Sequence, residues 1–113
     1  LKAGADINTS VEGLGTPIVA SAMSRNYKAV HLLLDNGANV KAIDSQGYTA
    51  LINAVLANSK DIVQLLVSKG ADVNSPASLT IIGKKARMTP LLIAKEKGYQ
   101  EVVKLLTDAG ARQ

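Results

Sequence analysis

The chain contains few side chains that could perform catalysis or bind a metal ion. It has no cysteine and a single histidine, His31. One imidazole without thiolates is a poor basis for a zinc site or a catalytic triad. We therefore favour an exposed position on a helix for His31 over a metal-binding or catalytic role. No metal site, no cofactor and no catalytic residue is predicted.

The charged residues do not form a recognisable catalytic motif either. Four aspartates lie at or near predicted helix ends and turns: Asp35, Asp44, Asp72 and Asp108. At such positions the carboxylate oxygens accept hydrogen bonds from backbone N–H groups. The segment Gly83-Lys84-Lys85 lacks both the earlier glycine and the following Ser or Thr of a phosphate-binding loop. The sequence thus predicts a protein that is not an enzyme.

The net charge of +4 is concentrated in the second half of the chain. Residues 1–56 hold four basic and four acidic side chains, whereas residues 57–113 hold nine and five. The basic cluster consists of Lys84, Lys85, Arg87, Lys95 and Lys97. Such a cluster can bind an acidic protein surface, bind nucleic acid or another polyanion, or simply be a solvated charged loop. Nucleic acid is disfavoured because the stacking aromatics used by single-strand binders are missing.

Composition fits one compact domain with an aliphatic core. The 113 residues are 47% hydrophobic and 3% aromatic, and every aromatic residue is a tyrosine. The longest apolar runs are only a few residues long, so no membrane span is predicted. The lack of cysteine fits a reducing compartment. We therefore expect a cytoplasmic monomer with no membrane partner.

Two independent landmarks recur along the chain with the same spacing. Gly-Ala dipeptides begin at Gly4, Gly37, Gly70 and Gly110, at intervals of 33, 33 and 40 residues. Threonines at Thr16, Thr49 and Thr89 follow intervals of 33 and 40 residues. The shared period indicates an internal repeat, and the shared lengthening indicates an insertion of seven residues in the last unit.

Each repeat is predicted to form two helices followed by a projecting loop. The threonines are typical helix N-caps, and Pro17 and Pro90 occupy the first helical position, where a missing N–H costs nothing. The first helices are predicted to end near Arg25, Asn58 and Gly98. The second helices carry paired apolar residues on one face and end at the repeated glycines. The insertion lengthens one hairpin at about 75–87, as a tolerated surface loop or as a specificity-determining finger.

Three segments carry a resemblance to a known family. They are Asp44-Ser45-Gln46-Gly47-Tyr48-Thr49-Ala50-Leu51, Ile62-Val63-Gln64-Leu65-Leu66 and Gly70-Ala71-Asp72-Val73-Asn74. This pattern closely resembles the ankyrin repeat and covers nearly the whole chain. The resemblance implies an all-α solenoid of stacked helix-turn-helix units with projecting β-hairpin loops.

Within one ankyrin repeat domain over residues 1–113, we assign the end of a truncated repeat to 1–10. Two repeats follow at 11–43 and 44–76, and a C-terminal capping repeat with the lengthened hairpin occupies 77–113. The chain departs from the family pattern because Val19, Ile52 and Leu92 replace the histidine of Thr-Pro-Leu-His. Asn53 stands where leucine is common, either as a core amide with hydrogen-bond partners or as a functional group.

The resemblance implies a scaffold for protein–protein interaction that contacts its partner through a concave groove and the hairpin tips. Carried over by position, the predicted contact residues are Met23, Ser45, Gln46, Tyr48, Leu56, Lys84, Lys85, Arg87, Met88 and Lys97. Met23 and Leu56 are equally compatible with packing against a neighbouring repeat. The predicted partner is another protein or peptide, acidic where it meets the basic cluster, and polyanion binding is the alternative.

Overall fold

Threonine caps and first-position prolines set the helix starts in the computed structural model, which describes residues 16–44, 46–81 and 83–111. The hydroxyl of Thr49 accepts a hydrogen bond from the backbone N–H of Ile52 at 3.1 Å, and Thr89 accepts one from Leu92 at 3.2 Å. Pro90 occupies the first position after its cap. The helices and strands of these residues are α1 Pro17–Met23, α2 Tyr27–Asp35, α3 Ala50–Leu56, α4 Lys60–Ser68, β1 Ala77–Ile81, β2 Lys84–Met88, α5 Pro90–Lys97 and α6 Gln100–Asp108.

A left-handed residue makes the turn between the two helices of each pair. The backbone φ angle is +59° at Arg25, +53° at Asn58 and +73° at Gly98. These are the three positions at which the first helices were predicted to end. Each turn brings the second helix against the first, so that α1 packs on α2, α3 on α4 and α5 on α6.

The helix pairs stack side by side around an aliphatic core. The first helices contact one another in the order α1, α3, α5, and the second helices in the order α2, α4, α6. Ala54 and Ala94 have no exposed surface, as expected of small residues where helices approach closely, whereas Ser21 is half-buried. The predicted all-α solenoid of helix-turn-helix units is confirmed. No helix within the described ranges has the length and apolar character needed to cross a bilayer.

Side-chain contacts join consecutive helix pairs near the turns within each pair. Arg25 Nε donates a hydrogen bond to Ser59 Oγ at 3.1 Å, and Lys60 Nζ lies 2.6 Å from Glu101 Oε2. The hydrogen bond to Glu101 and its negative charge raise the pKa of Lys60 above the ordinary value. A raised lysine pKa contributes stability at neutral pH, and this contribution is lost as the pH rises through the folded-state pKa. Because the pair is exposed, the contribution is small.

The inserted residues form an antiparallel hairpin and leave the helices on either side intact. Ala77 pairs with Met88 and Ile81 pairs with Lys84, so a two-residue turn closes the hairpin. Gly83 takes a φ of +76° in this turn, a conformation that glycine adopts without strain. The two strands and their turn span residues 77–88 and thus overlap the segment to which the sequence assigned the insertion.

Thr16 differs from Thr49 and Thr89 in its role at the start of a helix. Thr16 precedes α1 with the extended backbone of an N-cap, but its side chain makes no capping hydrogen bond. Its hydroxyl oxygen is buried and has no hydrogen-bond partner in the described part of the chain. The prediction of a hydroxyl cap was therefore wrong for Thr16, although the helix begins where expected.

Because Thr49 makes a capping hydrogen bond and Thr16 does not, replacing each threonine with valine should change the free energy of unfolding by different amounts. Thr49→Val removes a capping hydrogen bond and should lower the free energy of unfolding by about 1 kcal/mol. Thr16→Val removes a buried hydroxyl that has no hydrogen-bond partner among the described residues, so stability should stay unchanged or rise. Urea unfolding of both variants measures the two effects. Equal losses at the two positions would contradict the assignment of the caps.

Candidate partner-binding surface

A buried carboxylate fixes the loop that precedes α3. Asp44 Oδ1 accepts hydrogen bonds from the backbone N–H groups of Gln46 at 2.9 Å and Tyr48 at 3.0 Å. Its other oxygen, Oδ2, accepts a hydrogen bond from Asn53 Nδ2 at 3.2 Å. The Asn53 amide also donates to the carbonyl oxygen of Thr49 at 3.1 Å. Asn53 is therefore a core amide with hydrogen-bond partners, the first of its two interpretations.

The loop held by Asp44 presents one side chain outward and one partly inward. The backbone N–H of Asp44 donates to the carbonyl oxygen of Tyr48 at 2.9 Å, and Gly47 between them has a φ of +83°. Gln46 is exposed, whereas Tyr48 is half-buried and packs against the core. Both side chains thus lie on a loop whose backbone is fixed by hydrogen bonds.

Apolar side chains remain accessible on the first helices and their hairpins. Met23, the last residue of α1, is 39% exposed. Leu56 has the equivalent position in α3 and is half-buried against the core. Together with the loop before α3, these residues define what we call the groove surface: Met23, Ile43, Gln46, Tyr48 and Leu56.

Ile43 is a member of this surface that sequence reasoning missed. It is 54% exposed and forms an isolated β-bridge with Thr49, at the start of α3. The repeat period places Ser10 and Pro76 at the equivalent positions. A branched aliphatic side chain where the other repeats carry serine or proline was the signal that could have identified it.

Met88 lies in the core rather than on the surface. It is 4% exposed, and its cross-strand partner Ala77 is also buried. Both side chains belong to the hydrophobic core cluster of buried residues. The prediction of Met88 as a contact residue is corrected accordingly.

The basic cluster is exposed wherever its side chains are described. Lys85 and Arg87 are exposed on β2, and Lys95 and Lys97 are exposed on α5. None of these four cations forms an ion pair with an acidic group in residues 16–44, 46–81 and 83–111. Ser45 and the side chain of Lys84, which were also predicted as contacts, lie outside the described part of the structure.

The second helices carry the single histidine on an exposed surface. His31 Nδ1 lies 3.0 Å from Asp35 Oδ2, and the His31 ring centroid is 6.1 Å from that of Tyr27. Asp35 Oδ1 also lies 3.9 Å from Lys69 Nζ. Among the described residues, no three histidine or carboxylate side chains group together as metal ligands would. The His31 side chain is 48% exposed on α2, which is the exposed helix position favoured from the sequence.

Comparison with known proteins finds a repeat family. The family model described as ankyrin repeats (3 copies) matches residues 1–77. Ankyrin repeat, SAM and basic leucine zipper domain-containing protein 1 of Dasypus novemcinctus is 33% identical over 116 residues, which cover 98% of this chain and 23% of that protein.

Two further relatives are ankyrin repeat and KH domain-containing proteins. Protein mask of Drosophila melanogaster is 34% identical over 96 residues, which cover 85% of this chain and 2% of that protein. Ankyrin repeat and KH domain-containing protein 1 of Homo sapiens is 33% identical over 96 residues, which cover 85% of this chain and 4% of that protein. The chain therefore spans less than a quarter of the length of each of these three relatives.

The hydrogen bonds of Asn53 predict how the loop before α3 responds to its loss. Asn53→Leu leaves Asp44 Oδ2 buried without this donor and should lower the free energy of unfolding by about 1–3 kcal/mol. Amide hydrogen exchange at Gln46 and Tyr48 should become faster because the carboxylate that holds them is less well fixed. Gln64→Leu, at an exposed position of α4, is the control. Unchanged stability and exchange would show that the amide does not hold the loop.

Proposed function

The chain belongs to the ankyrin repeat family, and we propose that it binds a partner protein or peptide through the groove surface and the β1–β2 hairpin, without catalysing a reaction. Ankyrin repeats are generally protein–protein interaction modules, and the family is generally non-catalytic. The fold alone does not select a partner, because function is carried by sites on the scaffold. The proposal therefore depends on the particular side chains that this chain exposes.

The accessible aliphatic side chains of the groove surface are the observation that carries the proposal. Ile43 and Met23 expose much of their surface on a loop and a helix whose backbones are held by hydrogen bonds. Apolar surface that leaves water on binding contributes about 25 cal/mol per Å². Methionine adapts to the shape of its partner, and tyrosine is frequent among the residues that dominate binding energy. The partner is expected to present apolar side chains to this surface.

The part of the partner that meets the C-terminal half of the stack is expected to be acidic rather than apolar. Lys85 and Arg87 on β2 and Lys97 on α5 are exposed cations. A partner with acidic side chains here would associate faster and with the correct orientation, because complementary charges steer the encounter. We include a cytoplasmic location and a monomeric state in the proposal, the location because a chain without cysteine suits a reducing compartment.

Substitutions on the groove surface should reduce capture of the partner. Met23→Ser and Ile43→Ser remove exposed apolar contacts and leave the buried core untouched. Quantitative mass spectrometry can compare the proteins that immobilised wild type and each variant retain. We expect a protein retained by wild type to be reduced severalfold with both variants, since each truncated anchor costs roughly 1 kcal/mol or more.

Gln64→Ser provides the matched control because Gln64 is exposed on the second helix α4. This variant should retain the same protein as wild type. Equal retention by Met23→Ser, Ile43→Ser and wild type would rule out the groove surface as the binding site.

The exposed cations of β2 and α5 support a second candidate, which is binding of nucleic acid or another polyanion. Such binding is driven by counterion release, so it weakens steeply with salt and depends little on base sequence. Fluorescence anisotropy with labelled single-stranded and double-stranded DNA tests this candidate at about 50 mM and about 200 mM salt. If the chain is a protein-binding module, neither DNA should bind appreciably at the higher salt. Tight binding of unrelated DNA sequences with a steep salt dependence would favour the second candidate instead.

A further inference from the structure

The β1–β2 hairpin has strand edges with free backbone groups. β2 pairs only with β1 in the described residues, and no other backbone hydrogen bond there joins the hairpin strands to another segment. A strand edge of this kind presents a row of N–H and C=O groups that a further strand can pair with. The outer edge of β2 is therefore a potential pairing site for an extended chain.

The register determines which residues of β2 present these groups. Ile81 and Lys84 close a two-residue turn, and the closing pair of such a hairpin is a hydrogen-bonded pair. Hydrogen-bonded and non-hydrogen-bonded pairs alternate along an antiparallel ladder. The pairs Thr80–Lys85 and Ser78–Arg87 are then non-hydrogen-bonded. On β2, the free N–H and C=O groups consequently belong to Lys85 and Arg87.

The side chains of the same two residues share one face of the hairpin. Residues i and i+2 of a strand point to the same side, about 7 Å apart, and their neighbours point to the other side. Met88 lies on the opposite face and is buried, whereas Ala86 on that same face is exposed. Lys85 and Arg87 are both exposed. Their cross-strand partners, Thr80 and Ser78, carry no charge. The edge thus combines two free backbone positions with two cations that have no acidic partner in the described residues.

We propose that β2 accepts an extended acidic segment of a partner protein as a third strand, with Asp or Glu at every second position facing Lys85 and Arg87. This inference rests on the proposed protein-binding function and specifies one contact of it. Strand addition takes its affinity from main-chain hydrogen bonds and its specificity from alternate side chains. A nucleic acid would neutralise the cations, but its phosphates cannot form hydrogen bonds with the free C=O groups, because phosphate oxygens and carbonyl oxygens are both acceptors.

Two synthetic peptides of about eight residues, a common strand length, separate strand pairing from simple charge attraction. One alternates Glu and Thr, and the other has the same composition with all Glu residues in one block. Isothermal titration with the full chain should show about tenfold tighter binding of the alternating peptide. When its backbone is hydrogen-bonded to β2, its Glu side chains lie on the same face as the cations, whereas those of the block peptide point to both faces. Equal affinities at low salt would overturn strand addition and indicate charge attraction alone.

Variants of β2 test the backbone part of the contact. Arg87→Gln removes a charge and should weaken binding of the alternating peptide severalfold. Arg87→Pro removes the charge and also the free N–H, and should weaken binding further, since proline cannot donate to a ladder but is tolerated at strand edges. Ser78→Pro, on the outer edge of β1, is the control and should bind as wild type. Equal losses for Arg87→Gln and Arg87→Pro would overturn the inference.

A measurement on the unchanged protein guards against loss of the hairpin in Arg87→Pro. N-methylation of the peptide amides that face β2 should abolish binding, whereas methylation of the amides on the other edge should not. Equal binding of the two methylated peptides would again overturn strand addition. These outcomes leave the proposed function separately testable, because capture through Met23 and Ile43 does not require the β2 edge.

Discussion

Close packing between the first helices is the constraint on which the rest of the structure depends. The chain has no Phe and no Trp, and fully buried aliphatic side chains form its core. Ala54 and Ala94 allow α3 and α5 to approach their neighbours without leaving exposed surface of their own. In repeat proteins each unit contacts only its neighbours and buries its apolar face by stacking. The spacing of the helices therefore sets the spacing of every loop that leaves them.

The surface proposed for binding is held by the same elements that form the core. Asn53 belongs to the buried face of α3, and its hydrogen bond to Asp44 connects that helix to the loop carrying Gln46 and Tyr48. A loop fixed in this way loses little conformational entropy when a partner binds. The β1–β2 hairpin is fixed differently, because the pair Ala77 and Met88 is buried at its base, while Lys85 and Arg87 are exposed along β2. The two surfaces proposed for recognition, one largely apolar and one basic, thus extend from a single stack.

The repeat period predicted most of the fold because each landmark has a local physical cause. Threonine caps, first-position prolines and left-handed turns depend on a few neighbouring residues, so Thr49, Pro90 and Asn58 could be interpreted from the sequence. The burial and hydrogen bonding of individual side chains were harder to predict from the sequence, because they depend on contacts between residues that are far apart in the chain. The buried hydroxyl of Thr16 and the burial of Met88 follow from packing that a repeat period does not specify. Ile43 was missed for the opposite reason, since an aliphatic side chain is normally expected inside.

We propose that the first helices and hairpins, rather than the second helices, form the binding side of this ankyrin stack. Hydrogen-exchange mass spectrometry of the chain with and without a captured partner distinguishes the two sides. Binding through the first helices and hairpins should protect the loop around Ile43, the end of α1 at Met23 and strand β2, and should leave α4 and α6 unchanged. Protection confined to α4 and α6 would contradict it.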